Sequence, residues 1–119
     1  MKNNIILDKS FSFALRIIKL NKFLRGKHKE HVISRQILRS GTSIGANMEE
    51  ANAAQSQKDF FAKTCIAYKE ACETRYWLKL LKASDYISAA AADSIMDDCE
   101  EIIKILSSIK LTAGNNLKK

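Results

Sequence analysis

The sequence predicts an all-α protein, an antiparallel up-and-down bundle of four helices in a single domain. Proline is absent from the 119 residues and only four glycines occur, so the residues that most often interrupt helices are nearly missing. Apolar residues make up 46% of the chain, enough for one sizeable core without disulfides or metals. These residues recur at helical spacing in four segments, at about 9–24, 31–54, 57–84 and 88–113. Short connections between the segments make successive helices antiparallel neighbours.

The first predicted helix, residues 9–24, is amphipathic. Its apolar side chains recur at spacings of three and four, while basic side chains share another side. Asp8 is of a residue type that favours the helix N-cap and is predicted to begin this helix. The next segment, residues 25–30, contains Gly26 and no apolar residue, so we interpret it as a short basic connection. The apolar positions are Phe11, Phe13, Ala14, Leu15, Ile17, Ile18, Leu20 and Leu24.

The second predicted helix, residues 31–54, has an unusual middle. Residues 40–47 are mostly small or polar, and each glycine, Gly41 and Gly45, costs about 1 kcal/mol of helix stability relative to alanine. We predict one continuous helix because the apolar stripe passes through this segment without losing its phase. The small residues would let a neighbouring backbone approach closely. The stripe consists of Ile33, Ile37, Ile44, Met48 and Ala51.

The third predicted helix, residues 57–84, follows a capping signal formed by Ser56 and Asp59. Its apolar surface is wider than one face of a bundle helix requires. We therefore expect this helix either to be central in the fold or to meet another subunit. The candidate assembly residues are Tyr76, Trp77 and Leu80.

The fourth predicted helix, residues 88–113, separates an apolar face from an acidic one. Gly114 is predicted to end it, because glycine is common immediately after a helix C-terminus. The inward positions are Ala92, Ile95, Met96, Cys99, Ile102, Ile103, Leu106 and Ile109. The outward positions are Asp93, Asp97, Glu100, Glu101 and Lys104.

The net charge of +7 is distributed unevenly along the chain. Residues 1–40 contain ten basic and two acidic side chains, whereas residues 85–106 contain six acidic side chains and one lysine. A basic segment of this kind is suited to neutralising the phosphates of RNA or DNA. The candidate nucleic-acid-binding residues are Arg16, Lys19, Lys22, Arg25, Lys27, Lys29, Arg35 and Arg39.

A second interpretation of the basic helix stays open. In an up-and-down bundle the fourth helix packs beside the first, which would bring Asp93, Asp97 and Glu100 towards Lys22, Lys19 and Arg16. Part of the basic stripe would then be a charge seam within or between subunits, in which each exposed pair contributes about 0–1 kcal/mol. The segment 25–29 has less acid nearby, which favours phosphate contact there.

The residue pattern predicts neither a catalytic nor a metal site. A carboxylate-bridged metal bundle needs Glu-x-x-His on two helices, and that spacing is absent. His28 and His31 are three residues apart, but they lie among cations that would repel a metal ion. The glycines at 41 and 45 lack the lysine of a phosphate-binding loop. No local spacing suggests a nucleophile with its base, so we expect no cofactor and no enzymatic activity.

The cysteines and the hydropathy favour the cytoplasm. Cys65, Cys72 and Cys99 are odd in number and lie inside apolar periodic segments, which indicates core thiols rather than a disulfide scaffold. The apolar run before Asp8 is too short for the hydrophobic region of a signal peptide. No later stretch approaches the roughly 20 apolar residues that span a bilayer, so no membrane partner is expected.

Three sequence motifs together carry a family resemblance. They are RSGTSIGANMEEA at residues 39–51, SQKDF at residues 56–60 and IAYKEACETRYWL at residues 66–78. In combination they resemble the four-helix bundle family that includes proteins encoded in intervening sequences of bacterial 23S ribosomal RNA genes. One departure is Ala51, where many members have glycine, and we interpret that difference as one of packing.

The resemblance implies an up-and-down bundle that assembles into a ring, typically a homopentamer, without enzymatic activity. Relatives include an accessory subunit of diversity-generating reverse transcriptases that is associated with nucleic-acid binding. The shared residues carry over as Ser43, Asn47, Glu50 and Glu73, and we expect hydrogen bonds across helices or subunits that fix register. The predicted function is a self-assembling bundle that binds structured RNA or DNA. The alternative is a protein scaffold or accessory subunit without nucleic-acid binding.

Overall fold

The computed structural model describes residues 4–119, which form four α-helices in an up-and-down bundle. The helices are α1 (Asn4–Lys27), α2 (Ile33–Asn52), α3 (Gln57–Ala83) and α4 (Ala89–Leu117). The backbones of the neighbours α1–α2, α2–α3, α3–α4 and α1–α4 approach each other closely, whereas those of the diagonal pairs do not. No strand occurs in this part of the chain, and the molecule measures 51 × 20 × 20 Å. The predicted all-α four-helix bundle is confirmed.

One continuous hydrophobic core runs along the bundle axis. Each helix contributes fully buried aliphatic side chains, such as Ile17, Ile44, Leu78 and Leu106. Burying a side chain of this size stabilises the fold by about 1.5–3 kcal/mol relative to leaving it exposed. The core therefore supplies the stability that holds the outward-facing side chains at fixed positions.

The small residues in the middle of α2 allow close packing against α1. A Cβ atom added to Gly41 would lie 2.8 Å from Cγ1 of Ile17, and one added to Gly45 would lie 3.2 Å from Oγ of Ser10. The close neighbour that the sequence predicts for this segment is therefore α1 of the same chain. On the other side of α2, the buried Thr74 hydroxyl donates a hydrogen bond to Ser40 Oγ at 2.8 Å.

Two helix ends differ from the sequence expectation. α1 already includes Asn4, the first residue described, instead of starting near Asp8, because its buried face includes Ile6 one turn earlier than expected. α4 continues through Gly114 to Leu117, since Gly114 lies within the helix against the ring of Phe61 on α3. A Cβ atom there would lie 3.2 Å from Cε1 of that ring, so this glycine has a packing role.

Candidate nucleic-acid interface

The connection between α1 and α2, residues 28–32, contains an acidic residue that caps α2. The Glu30 carboxylate accepts hydrogen bonds from the backbone amides of Val32, Ile33 and Ser34 at 3.1, 3.0 and 2.7 Å. These amides belong to the N-terminal end of the helix, where no helical carbonyl is available to accept from them. Burial alone would raise the pKa of Glu30, but these hydrogen bonds and the charge of His31 lower it below its ordinary value.

The first turn of α2, directly after this connection, is hydrogen-bonded to α1. Asn21, buried on α1, donates a hydrogen bond from Nδ2 to the carbonyl oxygen of Ser34 at 2.9 Å. Lys29 adopts a left-handed backbone conformation with φ of 52°. These features hold the backbone of the connection against α1.

Six cations at this end of the bundle are exposed and have no carboxylate partner within 4 Å among residues 4–119. The only acidic residue between Asp8 and Glu49 is Glu30, whose carboxylate is occupied by the amides of α2. The positive charge here is therefore not neutralised by residues near it in sequence. We call these six residues the basic surface: Lys19, Lys22, Arg25, Lys27, Lys29 and Arg35.

The other two candidate cations have structural partners. Arg16 donates to Oδ2 of Asp98 at 2.6 Å and to the Ser94 hydroxyl at 3.1 Å. Arg39 donates to carboxylate oxygens of Glu73 at 2.8 Å and Glu70 at 3.3 Å. The hydrogen bond with Glu73, together with the charges of both carboxylates, raises the pKa of Arg39.

A charge seam does connect α1 with α4, but with partners other than those considered from the sequence. It consists of Arg16 with Asp98 and of Lys9 with Glu101, the latter at 3.1 Å. The acidic residues Asp93 and Glu100 turn towards α3 instead. Asp93 pairs with Lys82 at 2.7 Å, and Glu100 pairs with Arg75 at 3.1 Å.

The four polar residues singled out by the resemblance form separate contacts. Asn47 donates to the carbonyl of Ser43, and the Ser43 hydroxyl donates to the carbonyl of Ser40, both within α2. Glu50 accepts from Lys63 on α3 at 2.7 Å. Glu73 accepts from Arg39 and from Nε1 of Trp77, the latter at 3.0 Å.

Ion pairs of Arg39 with Glu70 and Glu73 join α2 to α3. Residue spacing within one helix does not predict this grouping. Arg39 precedes Glu70 and Glu73 by 31 and 34 residues, respectively. The pairing depends on how α2 and α3 align, which no single-helix pattern reveals. A usable signal is the i, i+3 spacing of the two glutamates, which puts both carboxylates on one side of α3.

Most of the exposed large apolar residues lie on two diagonal helices, α1 and α3, while Val32, Leu111 and Leu117 are exposed elsewhere. On α1, Phe11, Leu15 and Ile18 follow one another at helical spacing and are 64, 49 and 36% exposed. On α3, Tyr76 is 56% exposed and packs edge-to-face on Trp77. Trp77 and Leu80 are both half-buried. The sequence predicts excess apolar surface on the third helix, but α1 exposes more apolar surface than α3 does. The second apolar stripe in the sequence of α1 indicates this surface.

Within residues 4–119 no three His, Cys, Asp or Glu side chains are grouped so as to hold a metal ion. Burial raises the pKa of the Cys99 thiol to about 12, so this cysteine stays protonated and unreactive. None of the helices α1 to α4 combines the length and hydropathy that a bilayer crossing requires.

Comparisons with known proteins agree with this fold. Residues 2–108 match the family described as 23S rRNA-intervening sequence protein. A crystal structure from Bacteroides thetaiotaomicron, of a protein with unknown function from the S23 ribosomal protein family, is 55% identical with a TM-score of 0.90. The similarity covers 92% of this chain and 98% of that one. No curated protein was found to match this chain. Since the family match spans most of the sequence, the chain belongs to the 23S rRNA-intervening sequence protein family.

Proposed function

We propose that this protein is a non-enzymatic, self-assembling bundle that binds the phosphates of structured RNA or DNA through its basic surface. The observation that carries the proposal is the exposure, at one end of the molecule, of six cations that have no carboxylate partner in the described part of the chain. Cations committed to ion pairs, such as Arg16 and Arg39, hold helices together and are outside the proposed contact set. Phosphate contacts of this kind supply sequence-independent affinity that falls with salt.

The capping role of Glu30 supports this proposal. A carboxylate pointing outward among the cations would repel phosphate, whereas Glu30 is turned towards the amides of α2. The name of the family, which refers to intervening sequences of 23S rRNA, adds an association with RNA genes. The related protein from Bacteroides thetaiotaomicron has unknown function and adds no activity.

Self-assembly is the second part of the proposal. The exposed apolar residues of α1 and Tyr76 of α3 lie on helices that are diagonal to each other in the bundle. A contact between α1 of one copy and α3 of the next would join two different surfaces, which is the head-to-tail arrangement that closes into rings. The homopentamer implied by the resemblance is the ring we favour. The free thiols of Cys65, Cys72 and Cys99 suit a reducing compartment, so we propose a cytoplasmic setting.

A protein scaffold without nucleic-acid binding is the second candidate function. The observation that favours it is the apolar stripe of Phe11, Leu15 and Ile18, which another protein could cover. Under this alternative the basic surface would serve only solubility, and its charge reversal would leave all partner binding intact.

Charge reversal at matched positions separates these functions. The test variant carries Arg25→Glu with Lys27→Glu, and the control carries Lys58→Glu with Lys69→Glu on α3, two exposed lysines without ion-pair partners among residues 4–119. Both variants change the net charge equally. Affinity for a hairpin RNA and a duplex DNA is measured at low salt. The proposal predicts a loss of at least 10-fold in the test variant and a much smaller loss in the control; equal losses, or no binding by the wild type, would contradict it.

A further inference from the structure

A solvent-open cleft of about 830 Å³ lies beside the basic surface, between the last turns of α1 and residues 84–88, which connect α3 to α4. Leu20 and Phe23 of α1 form one apolar wall, and Tyr86 and Ile87 form the other. Two cations of the basic surface, Lys19 and Lys27, also line the cleft. The cleft thus combines aromatic rings with cations that no carboxylate of residues 4–119 pairs with.

Three aromatic rings join the two walls. The His28 ring packs edge-to-face with Phe23 on one side and with Tyr86 on the other, each at 5.3 Å between centroids. Lys27 places its Nζ atom 5.6 Å from the centre of the Phe23 ring. Phe23 remains 40% exposed, so the cluster leaves aromatic surface accessible.

We infer that this cleft takes an unpaired nucleotide of a bound nucleic acid, with the base against the aromatic cluster and the phosphate near Lys19 and Lys27. The inference rests on the proposed function and deepens it, because it names single-stranded nucleotides as a preferred part of the ligand. Unpaired bases stack on aromatic side chains, while neighbouring cations neutralise the backbone. A fully paired duplex keeps its bases stacked internally and gains only the phosphate contacts.

The charged residues of the cleft indicate how the nucleotide is oriented within it. Lys82 is engaged with Asp93 at 2.7 Å, so the available cations, Lys19 and Lys27, both come from α1. Asp85 lies on the opposite side, in the connection, where its backbone φ is 63°. A carboxylate accepts hydrogen bonds from the amino group of a base and repels phosphate. The phosphate is therefore directed towards α1 and the base edge towards Asp85.

Two RNAs of equal charge distinguish this inference from general phosphate binding. One is a blunt hairpin, and the other is a shorter hairpin with a 3′ single-stranded extension that restores the same number of phosphates. The wild type is expected to bind the extended RNA about 10-fold more tightly, a gain typical of one or two stacked bases. If it binds both RNAs equally, the inference fails while the proposed function stands. If it binds neither, both fail.

Phe23→Leu is the variant that tests the aromatic wall, since it keeps apolar bulk but removes the ring. We expect it to abolish the preference for the extended RNA and to leave affinity for the blunt hairpin unchanged. Phe61→Leu, which removes a half-buried ring from the first turns of α3 at the other end of the bundle, is the matched control and should keep the preference. Thermal unfolding of each variant checks that the fold is intact. A preference that survives Phe23→Leu, or that Phe61→Leu also removes, would overturn the assignment.

Discussion

Glu30 and Ser34 are joined at the start of α2 by two hydrogen bonds, both donated by Ser34. The Ser34 amide donates to the Glu30 carboxylate, and the Ser34 hydroxyl donates to the Glu30 carbonyl, each at 2.7 Å. Ser34 is fully buried, so its polar atoms depend on these partners and on Asn21. The two hydrogen bonds therefore hold the connection to the first turn of α2.

Glu30→Gln is expected to destabilise the protein by about 1 kcal/mol at neutral pH, because a neutral amide caps the α2 amides less well than a carboxylate. Urea unfolding at pH 7 measures this difference. The matched control, Glu49→Gln, changes an exposed glutamate near the other end of α2 and should have little effect. Equal effects of the two variants would contradict the capping role.

Because of Glu30, the stability of the folded protein is also expected to depend on pH. The pKa of Glu30 is lower in the folded than in the unfolded state, so its contribution is fully present above the unfolded pKa of about 4.3. It is lost as the pH falls through the lowered folded value. The stability difference between wild type and Glu30→Gln should therefore shrink in this acidic range. A difference that grows on acidification would show that the sign is wrong.

Gly41→Ala is expected to destabilise the bundle by about 1–3 kcal/mol, because the added methyl group would lie 2.8 Å from Ile17. Thermal or urea unfolding measures the loss. Gly26→Ala is the control, since among the described residues no atom beyond its own stretch of helix lies within 4 Å of a Cβ at that position. It should be neutral or stabilising by about 0.5–1 kcal/mol, as alanine favours helices over glycine. A harmless Gly41→Ala would mean that α1 and α2 are packed less closely than described.

Arg35 and Arg39 stand four residues apart on α2, yet they are expected to respond differently to substitution. Arg39 is paired with Glu70 and Glu73, whereas Arg35 belongs to the basic surface. Arg35→Gln should weaken nucleic-acid binding several-fold with little change in stability. Arg39→Gln should cost up to about 1 kcal/mol of stability and change affinity less. Filter binding and urea unfolding of both variants measure the two effects, and the reverse pattern would refute the assignment.

Phe11→Glu combined with Leu15→Glu is expected to reduce the oligomer to smaller species, because charges would replace the exposed apolar stripe of α1. Light scattering coupled to size exclusion measures the mass. A control with Ala46→Glu and Ala90→Glu adds the same charge at exposed positions on α2 and α4 and should keep the wild-type mass. A wild type that is already monomeric would contradict the assembly proposal.

The helical spacing of apolar residues in the sequence predicts most of the fold. The stripe through Ile37, Ile44 and Met48 is buried, and Ser56 caps α3 by accepting from the Asp59 amide at 3.0 Å, both as the sequence predicts. The ends of the helices were predicted less accurately, because tertiary contacts determine where each helix ends. Gly114 stays helical since it packs on Phe61, a contact 53 positions back that no local rule contains.

The sequence predicts which residues of the candidate interface are basic. It does not predict which of them form ion pairs and which belong to the basic surface. Sequence counting finds the basic first third, yet it cannot separate Arg16 and Arg39 from the basic surface. Their partners are 82 and 31 or more residues away, on α4 and α3. The aromatic cluster was also missed, because Tyr86 meets His28 only when the end of α1 lies beside the connection between α3 and α4.

The salt dependence of duplex binding tests the central claim most directly. Each cation that neutralises a phosphate contributes about 0.9 to the slope of log affinity against log salt. Neutralising two members of the basic surface with Arg25→Gln and Lys27→Gln should reduce that slope by about 2. The matched pair Lys58→Gln and Lys69→Gln should leave the slope unchanged. A slope near zero for the wild type, or equal reductions in both variants, would contradict phosphate binding at the basic surface.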